Sequence, residues 1–289
     1  MTRNLAPSAE DTSRTGRPPS PPPRGSSAPG RSRRLVPRPL KPIGLLFGPV
    51  VVLVVWEMAA TVGWLSPRQL AAPSVAVRTA TEMLFDGELL PHLGASAQRA
   101  YLALAIGIVV GLVLALVSGL SRIGEASIDG LVQIKRAIPT LALIPLAILW
   151  LGIGEEMKVA VIAASVFVPI YLNTHAALRG IDLRHVELAR SVGLGRADFV
   201  RRVALPGALP GFFTGLRLSV TMCWTALVVL EQINATEGIG YLMTKARDYG
   251  QTDVIVVGLV IYAVLGLASD FAVRLIERKT LSWRKTIGS

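Results

Sequence analysis

The chain has 289 residues, of which 52% are hydrophobic and 17% are charged, and its mean hydropathy is +0.53. Soluble domains carry about 25% charged residues, so the composition excludes an ordinary soluble protein and indicates a chain embedded in a bilayer. The net charge of +11 does not indicate nucleic-acid binding, because the basic residues are concentrated between apolar runs, as in membrane proteins.

The first 42 residues are rich in Pro, Ser, Arg and Gly and contain few apolar residues. Such a segment cannot bury enough apolar surface to offset the entropy lost on ordering, so residues 1–42 are predicted to form a disordered basic cytoplasmic tail. The tail has no signal-peptide core. Residues 43–62 are therefore predicted to be an uncleaved signal anchor and the first transmembrane helix.

Further apolar runs follow along the chain, each close to the roughly 20 residues that a helix needs to cross the hydrocarbon core. The sequence therefore predicts an all-α membrane protein with six transmembrane helices. Prolines inside the third and fourth spans predict kinked helices, which membranes tolerate when neighbouring helices satisfy the freed carbonyls. The predicted spans are 43–62, 99–120, 137–153, 158–178, 208–231 and 253–275.

The distribution of Lys and Arg orients these spans. With the N-terminus inside, the cytoplasmic segments hold 23 of the 30 Lys and Arg residues and the external segments hold five. This bias predicts that both termini are cytoplasmic. An external loop is then expected at 63–91, a transmembrane domain at 92–276 and a cytoplasmic tail at 277–289.

The external loop is predicted to contain a short helix that begins at Pro73 and ends before Gly87. Its mixture of apolar and polar residues suits a helix lying at the membrane surface. Two interpretations stay open, namely a lid or docking surface for an external partner and a plain membrane-surface helix.

No motif in the sequence indicates an enzyme. The chain lacks a Gly-x-x-x-x-Gly-Lys-Ser/Thr loop, a nucleophile elbow and a metal-binding pair of histidines on one helix. The ionisable residues placed inside spans are Glu57, Arg217, Glu231 and Asp270, which form no recognisable catalytic arrangement. We predict no catalytic residue, no metal site and no cofactor in this chain. A transporter without a nucleotide site must use an ion gradient or a separate ATPase.

The connection between the fourth and fifth spans, residues 180–206, is basic and has helix-forming composition throughout. Residues 185–190 and 196–203 are predicted to form two short cytoplasmic helices, because the intervening Gly193 and Gly195 permit a turn with positive φ.

Small and apolar residues at i/i+3 spacing, Leu183, Val186 and Ala189, suit insertion of the first of these helices into a groove of another protein. The alternative is a basic loop that only fixes the topology.

The residues Glu187, Ala189, Gly193, Leu205 and Pro206 resemble, in type and spacing, the EAA loop of bacterial ABC importer permeases, with Leu and Val replacing the usual Ala and Ile at 188 and 203. The resemblance implies that these five residues couple the membrane subunit to an ATPase. Glu187 would contact the ATPase or brace the two short helices. A local ion pair with a neighbouring arginine is the alternative.

From about Leu65 to Ser282 the chain is similar to the sulfonate, nitrate and taurine branch of the ABC permeases, and within it to the aliphatic sulfonate permeases. The resemblance is carried by residues 139–152 (PTLALIPLAILWLG), 168–174 (VPIYLNT), 205–210 (LPGALP), 215–217 (GLR), 238–242 (GIGYL) and 246–254 (ARDYGQTDV), with Trp56 and Glu57 in the first span.

This resemblance implies a type I importer in the bacterial inner membrane. Its expected parts are a permease homodimer, an ATPase dimer that holds ATP and Mg²⁺, and an extracytoplasmic binding protein that delivers an anion. Aliphatic sulfonates are the expected substrates, with nitrate, taurine or an aromatic or pyrimidine precursor as alternatives. A gradient-driven secondary carrier is the alternative from another class, but the inverted repeats with paired broken helices expected of it are not recognisable in the sequence.

Substrate contacts are expected on the fourth and fifth spans, because an oxyanion needs hydroxyls, N–H groups or a cation in a site with water access. Each such residue could instead serve helix packing or hydrogen bonding between helices. The predicted residues of the translocation path are Thr221, Trp224, Thr225, Ser165, Tyr171 and Asn173.

Arg217 and Asp270 are predicted to form an ion pair inside the membrane. In the predicted orientation both lie roughly 9–14 Å from the cytoplasmic edge, at about 1.5 Å per residue. An unpaired carboxylate at that depth is costly. In the alternative, Arg217 extends to the lipid head groups or to the 180–206 segment, and Asp270 marks the end of the hydrocarbon region.

Overall fold

The computed structural model describes residues 42–283, and every regular element in that range is a helix. The all-α class is therefore confirmed for this part of the chain, while most of the predicted N-terminal tail (1–41) and residues 284–289 of the C-terminal tail lie outside the described residues. The helices are α1 (Pro42–Thr61), α2 (Pro73–Phe85), α3 (Leu89–Leu120), α4 (Arg122–Ala137), α5 (Ile144–Leu151), α6 (Glu155–Arg179), α7 (Leu183–Ser191), α8 (Arg196–Phe199), α9 (Leu205–Asn234), α10 (Ile239–Asp248) and α11 (Thr252–Thr280).

Four helices in the described part are long and apolar enough to cross a membrane: α3, α6, α11 and the continuous helix Arg196–Asn234 that contains α9. The segments Arg122–Ala137 and Thr140–Leu151 meet the same criterion together, as a pair bent by 94°, and Phe47–Thr61 is a shorter apolar helix. The six predicted spans thus correspond to four long helices, one bent pair and α1.

The third predicted span, 137–153, is not one straight helix. α4 ends at Ala137, Ile138 is extended (φ −89°, ψ 120°), and the chain continues through a 3₁₀ turn into α5. Pro139 explains this break, because a proline sterically excludes the preceding residue from the helical region. Pro139 thereby also ends α4. α4 is an amphipathic helix, in a region where only a connection between spans was predicted.

α2 is the short helix predicted in the external loop. Its N-terminus is capped from α1, where the Glu57 carboxylate accepts hydrogen bonds from Ser74 N (3.0 Å) and Ser74 Oγ (2.7 Å). The first N–H groups of a helix have no partner within it, and a carboxylate there also interacts favourably with the helix dipole. Thr79 Oγ1 donates to Asp253 Oδ2 of α11 at 2.8 Å. α2 is therefore bound to two apolar helices at what we call the external end, which carries residues 63–88 and 235–251.

α6 lies in the centre of the bundle and packs along both α3 and α9. Glycines make this close approach possible, as is common between membrane helices. A Cβ on Gly111 of α3 would lie 2.7 Å from the Phe167 carbonyl oxygen, and a Cβ on Gly215 of α9 would lie 2.7 Å from the Pro169 carbonyl oxygen.

Gly111→Ala is expected to lower the free energy of unfolding by about 1–3 kcal/mol, because overpacking forces α3 away from α6. Gly94→Ala on the same helix is the matched control, since a Cβ there meets nothing within 4 Å. That control should be neutral, or stabilising by up to about 1 kcal/mol. Thermal unfolding of the detergent-purified protein measures both, and equal stability of the two variants would contradict the close packing.

The second short helix predicted at 196–203 is not separate from the fifth span. Residues 196–234 form one helix, in which α8 passes through a π-helical segment, Val200–Ala204, into α9. The expectation of two short helices is therefore correct for α7 and wrong for the second. Pro206 lies inside this continuous helix, although in a regular α-helix its ring would clash with the carbonyl four residues earlier. The wider π turn directly before it relieves that clash.

Candidate functional site

Residues 180–206, which we call the coupling segment because of the role that the resemblance predicts for it, begin with a well-defined helix. The Asp182 side chain caps α7 by accepting a hydrogen bond from Arg184 N at 2.9 Å. The helix is terminated by Gly193, two residues after its last residue Ser191, with a φ of +70°. Gly193 N donates to Arg190 O and Leu194 N donates to Ala189 O. This pair of bonds is the Schellman motif, which favours glycine because other residues are strained at positive φ.

α7 presents an exposed apolar face formed by Leu188 and Val192, which lie one turn apart and are 62% and 64% exposed, while Leu183, 74% exposed, lies on the other side of the helix. The predicted docking face consisted of Leu183, Val186 and Ala189 instead. Ala189 is buried and Val186 is half-buried. The face that remains available to another protein is therefore rotated relative to the predicted one.

Glu187 is exposed on α7 and has no hydrogen-bond or ion-pair partner among residues 42–283. Neither the local pair with Arg184 or Arg190 nor the brace to a second helix is present in the described part. The carboxylate is therefore available to a group outside the described chain.

The coupling segment is attached to the cytoplasmic end of the bundle. Arg196 donates to the Leu120 carbonyl at the end of α3 (3.0 Å), and Arg179 at the end of α6 pairs with Glu125 of α4. Pro206 lines a groove of about 590 Å³ beside the start of α7, and Leu205 is 37% exposed next to it. The coupling segment is therefore linked to α3 through Arg196, and it continues along the chain into α6 on one side and α9 on the other.

A larger groove of about 710 Å³ runs between α9 and α11. It brings together five residues that the sequence analysis selected on two separate grounds. The predicted path residues Thr221, Trp224 and Thr225 and the predicted pair Arg217 and Asp270 all line it.

The Arg217 and Asp270 side chains lie together, with Nε 3.3 Å from Oδ1. A second arginine was missed: Arg274 Nε donates to Asp270 Oδ2 at 2.7 Å, one turn further along α11. Trp224 Nε1 donates to Ser269 Oγ (3.2 Å), which fixes the indole on the groove wall. The groove thus contains one carboxylate shared by two guanidinium groups.

Tyr171, Asn173 and Ser165, the path residues predicted on α6, do not line this groove. Tyr171 is fully buried, and its hydroxyl lies 2.9 Å from Ser118 Oγ of α3 and 3.2 Å from Asp129 Oδ1 of α4. Asn173 Nδ2 and Ser165 Oγ donate to backbone carbonyls one turn earlier in α6. These residues therefore serve packing and helix–helix contacts, the alternative left open above.

A buried charge network at the external end was missed by the sequence analysis. Glu231 of α9 is 1% exposed and accepts four kinds of donor at 2.8–2.9 Å. The donors are Ser96 Oγ, Arg99 Nη1, Gly240 N and Tyr262 Oη. A buried carboxylate is stable only when paired and hydrogen-bonded in this way.

Arg99 extends the network to α6 and to the chain before α10. Its guanidinium pairs with Glu155 through Nε and Nη2 and donates to the Glu237 carbonyl at 2.7 Å. Lys158, 2% exposed, completes the network with a 2.8 Å bond to Glu155. The network therefore joins α3, α6, α9, α10 and α11.

Gly238 allows the backbone to approach this network. Its φ is +119°, and a Cβ there would lie 2.6 Å from the Glu231 carboxylate. Gly238 N donates to His92 Nδ1 (3.1 Å) and Ile239 N donates to Ser96 Oγ (2.9 Å). The sequence signals were the glutamate inside a span and the nearby glycine pair, but nothing in them identified the partners.

Within residues 42–283, no group of three or more His, Cys, Asp or Glu side chains could hold a metal ion. The arrangement instead consists of a coupling segment, a charged groove and a buried network joined by one long helix.

Residues 107–282 match the family of binding-protein-dependent transport system inner membrane components. The putative aliphatic sulfonates transport permease protein SsuC of Escherichia coli K12 is 45% identical over 82% of this chain and 90% of its own length. The corresponding SsuC protein of Bacillus subtilis 168 is 38% identical over 84% and 88%. The taurine transport system permease protein TauC of Escherichia coli K12 is 32% identical over 81% and 86%.

Solved structures with the same fold include an inward-facing form of the MetNI methionine ABC transporter and an amino acid ABC transporter crystallised with histidines. The first has a TM-score of 0.53 at 20% identity and covers 65% of this chain and 95% of its own. The second has a TM-score of 0.55 at 19% identity and covers 69% and 97%. These likenesses confirm the type I importer permease fold.

Proposed function

Because this chain belongs to the family of binding-protein-dependent transport system inner membrane components, we propose that it is the permease subunit of an ATP-driven importer for aliphatic sulfonates. The subunit itself is not an enzyme. Its task is to form a path through the inner membrane and to open that path alternately to its two sides.

The observation that carries the proposal is the exposed helix α7. It combines an unpartnered carboxylate, Glu187, with an apolar face at the cytoplasmic end of the bundle. Exposed apolar side chains at helical spacing suit a groove in a partner protein. We assign this partner as an ATPase dimer that holds ATP and Mg²⁺, and we assign Glu187, Ala189, Gly193, Leu205 and Pro206 to the coupling.

The substrate class is supported by the relatives of highest identity reported above, two of which are named as aliphatic sulfonate permeases. The groove between α9 and α11 supports an anion, because its charged lining residues are two arginines and one aspartate. Taurine, itself an aminosulfonate, is the alternative favoured by the third relative.

An exposed face of α9 supports a second copy of the chain beside the path. On α9 the residues Thr214, Leu218, Thr221 and Thr225 are exposed and repeat at intervals of four, three and four. This interval places the four residues on one face of α9, and because they also line the groove, a second copy facing them would complete the wall of the path. We propose that the permease is a homodimer and that an extracytoplasmic binding protein delivers the anion at the external end.

The function is tested in a strain that lacks its own alkanesulfonate importers. Growth with ethanesulfonate as the only sulfur source is expected to require this chain together with its ATPase and its binding protein, and growth with sulfate should require none of them. Growth with taurine alone would instead favour the alternative. The purified chain is expected neither to hydrolyse ATP nor to transport, and proton- or sodium-driven uptake by this chain alone would contradict the importer assignment.

A further inference from the structure

We propose that Arg217 binds the negatively charged head group of the transported monoanion in the groove between α9 and α11, and that Asp270 is the internal counter-ion which this anion displaces. The proposal rests on the proposed function for the identity of the anion, an alkanesulfonate. It adds the residue that holds the anion and the residue that competes with it.

The charge of the groove favours a monoanion. Of the described residues that line it, only Arg217, Asp270 and Arg274 are charged. Two cations and one carboxylate leave a formal excess of one positive charge, which one sulfonate group neutralises. Unpaired charge is costly between membrane helices, and a bound monoanion would neutralise the excess positive charge of these three side chains.

The two arginines do not hold Asp270 equally. Arg274 Nε lies 2.7 Å from one carboxylate oxygen, whereas Arg217 Nε lies 3.3 Å from the other. The longer distance falls outside the usual 2.7–3.2 Å range for N–H···O hydrogen bonds. Arg217 is therefore the more weakly held partner, and Arg274 would keep Asp270 paired after Arg217 turned to a ligand.

Arg217 also has donors to spare. Only its Nε has a hydrogen-bond partner among residues 42–283, and the side chain is 40% exposed in the groove. A guanidinium group presents several N–H donors in one plane, which match two oxygens of a sulfonate.

The threonines are poorer candidates for the head group. The hydroxyls of Thr214, Thr221 and Thr225 each donate to the backbone carbonyl four residues earlier.

The remaining wall of the groove suits an alkyl chain. Leu218, Trp224, Val228 and Leu267 line it beside the charged residues, and its volume of about 710 Å³ is in the range of small-molecule sites. An alkanesulfonate carries both parts, a monoanionic head and an apolar tail. Inorganic nitrate and sulfate lack the second.

The test uses the intact permease–ATPase complex in lipid nanodiscs without the binding protein, and measures equilibrium binding of radiolabelled ethanesulfonate. Arg217→Gln is expected to weaken binding by about tenfold or more, the loss expected for a charge-assisted hydrogen bond. Arg217→Lys should retain part of the affinity, since it keeps the charge but not the planar donor pair.

Asp270→Asn gives the decisive result, because it removes the competitor for Arg217. Binding of ethanesulfonate is then expected to be roughly two- to fivefold tighter. A purely structural Asp270 would predict weaker binding or loss of the complex.

The matched controls are Arg247→Gln and Asp248→Asn, which change a pair at the same 3.3 Å distance on the exposed surface of α10. Both should bind as the wild type does. Co-purification with the ATPase and basal ATP hydrolysis show that each variant is folded and coupled.

The inference would be overturned if the wild type binds ethanesulfonate and Arg217→Gln binds it equally well. Weaker binding by Asp270→Asn in an intact complex would also overturn it. Neither result would affect the proposed function. A wild-type complex that, supplied with its binding protein, imports no alkanesulfonate would overturn the proposed substrate, and this inference with it.

Discussion

A Glu231→Leu variant is expected to have a free energy of unfolding about 3–5 kcal/mol lower than that of the wild-type chain. Glu231 is fully buried and is the common acceptor for Ser96, Arg99, Gly240 and Tyr262. Leucine removes the acceptor and leaves these donors buried without it. Removing one partner of a buried ion pair destabilises the protein by more than the pair had stabilised it, because the remaining charge stays buried away from water.

The matched control is Glu82→Gln on α2. Glu82 and Arg78 are separated by 2.8 Å, as are Glu231 and Arg99, but both side chains of the first pair are more than half exposed. An exposed pair of this kind contributes at most about 1 kcal/mol. Thermal or denaturant unfolding in detergent distinguishes the two variants, and a Glu231→Leu variant that unfolds like Glu82→Gln would contradict the network.

A double variant tests the cause of the loss. Arg99→Leu combined with Glu231→Leu removes both charges, while Glu155 keeps its bond to Lys158. The double variant is expected to be more stable than Glu231→Leu alone by at least about 1 kcal/mol, because no buried guanidinium then lacks its second carboxylate. If the double variant and Glu231→Leu were equally stable, the loss of stability would instead come from the hydrogen bonds of Ser96 and Tyr262.

The second large effect is expected at Gly193, where substitution by alanine should lower ATP-dependent uptake roughly tenfold without reducing the amount of inserted protein. The φ of Gly193 is +70° and a Cβ there meets nothing within 4 Å, so alanine introduces backbone strain and no clash. That strain is about 1–2 kcal/mol, which lowers the population of the native turn roughly tenfold. The proposed insertion of α7 into a groove of the ATPase would then be lost.

Gly195→Ala is the control for this prediction. Gly195 lies two residues further on, its φ is −65°, and a Cβ there also meets nothing within 4 Å. It should transport normally. Glu187→Ala should lose uptake as Gly193→Ala does, because it removes the exposed carboxylate while α7 keeps its caps. Normal uptake by both Gly193→Ala and Glu187→Ala, measured with the complete transporter, would rule out coupling through this segment.

The sequence predicted the features that depend on local pattern. Long apolar runs identify α3, α6, α9 and α11, since only burial in lipid explains them. The pair Arg217 and Asp270 followed from counting residues into two antiparallel spans, which fixes depth. The turn at Gly193 followed from glycine chemistry alone.

Features that depend on which helix faces meet could not be predicted in the same way. The partners of Glu231 lie up to 135 residues away in the sequence and come from three other helices, so no local pattern brings them together. Tyr171 was placed in the path because its hydroxyl could bind an oxyanion, but its side chain faces α3 and α4. The break at Pro139 is different, because the rule for residues before proline would have located it.

The continuous helix Arg196–Asn234 connects the coupling segment at one end with the buried network at the other. At about 1.5 Å per residue, Arg217 lies roughly 21 Å and Arg196 roughly 52 Å from Glu231. The buried network holds the helix in place at Glu231. A tilt of about 10° around that point would move Arg217 by roughly 4 Å and Arg196 by roughly 9 Å. A modest swing imposed at the ATPase end would thus suffice to separate Arg217 from Asp270.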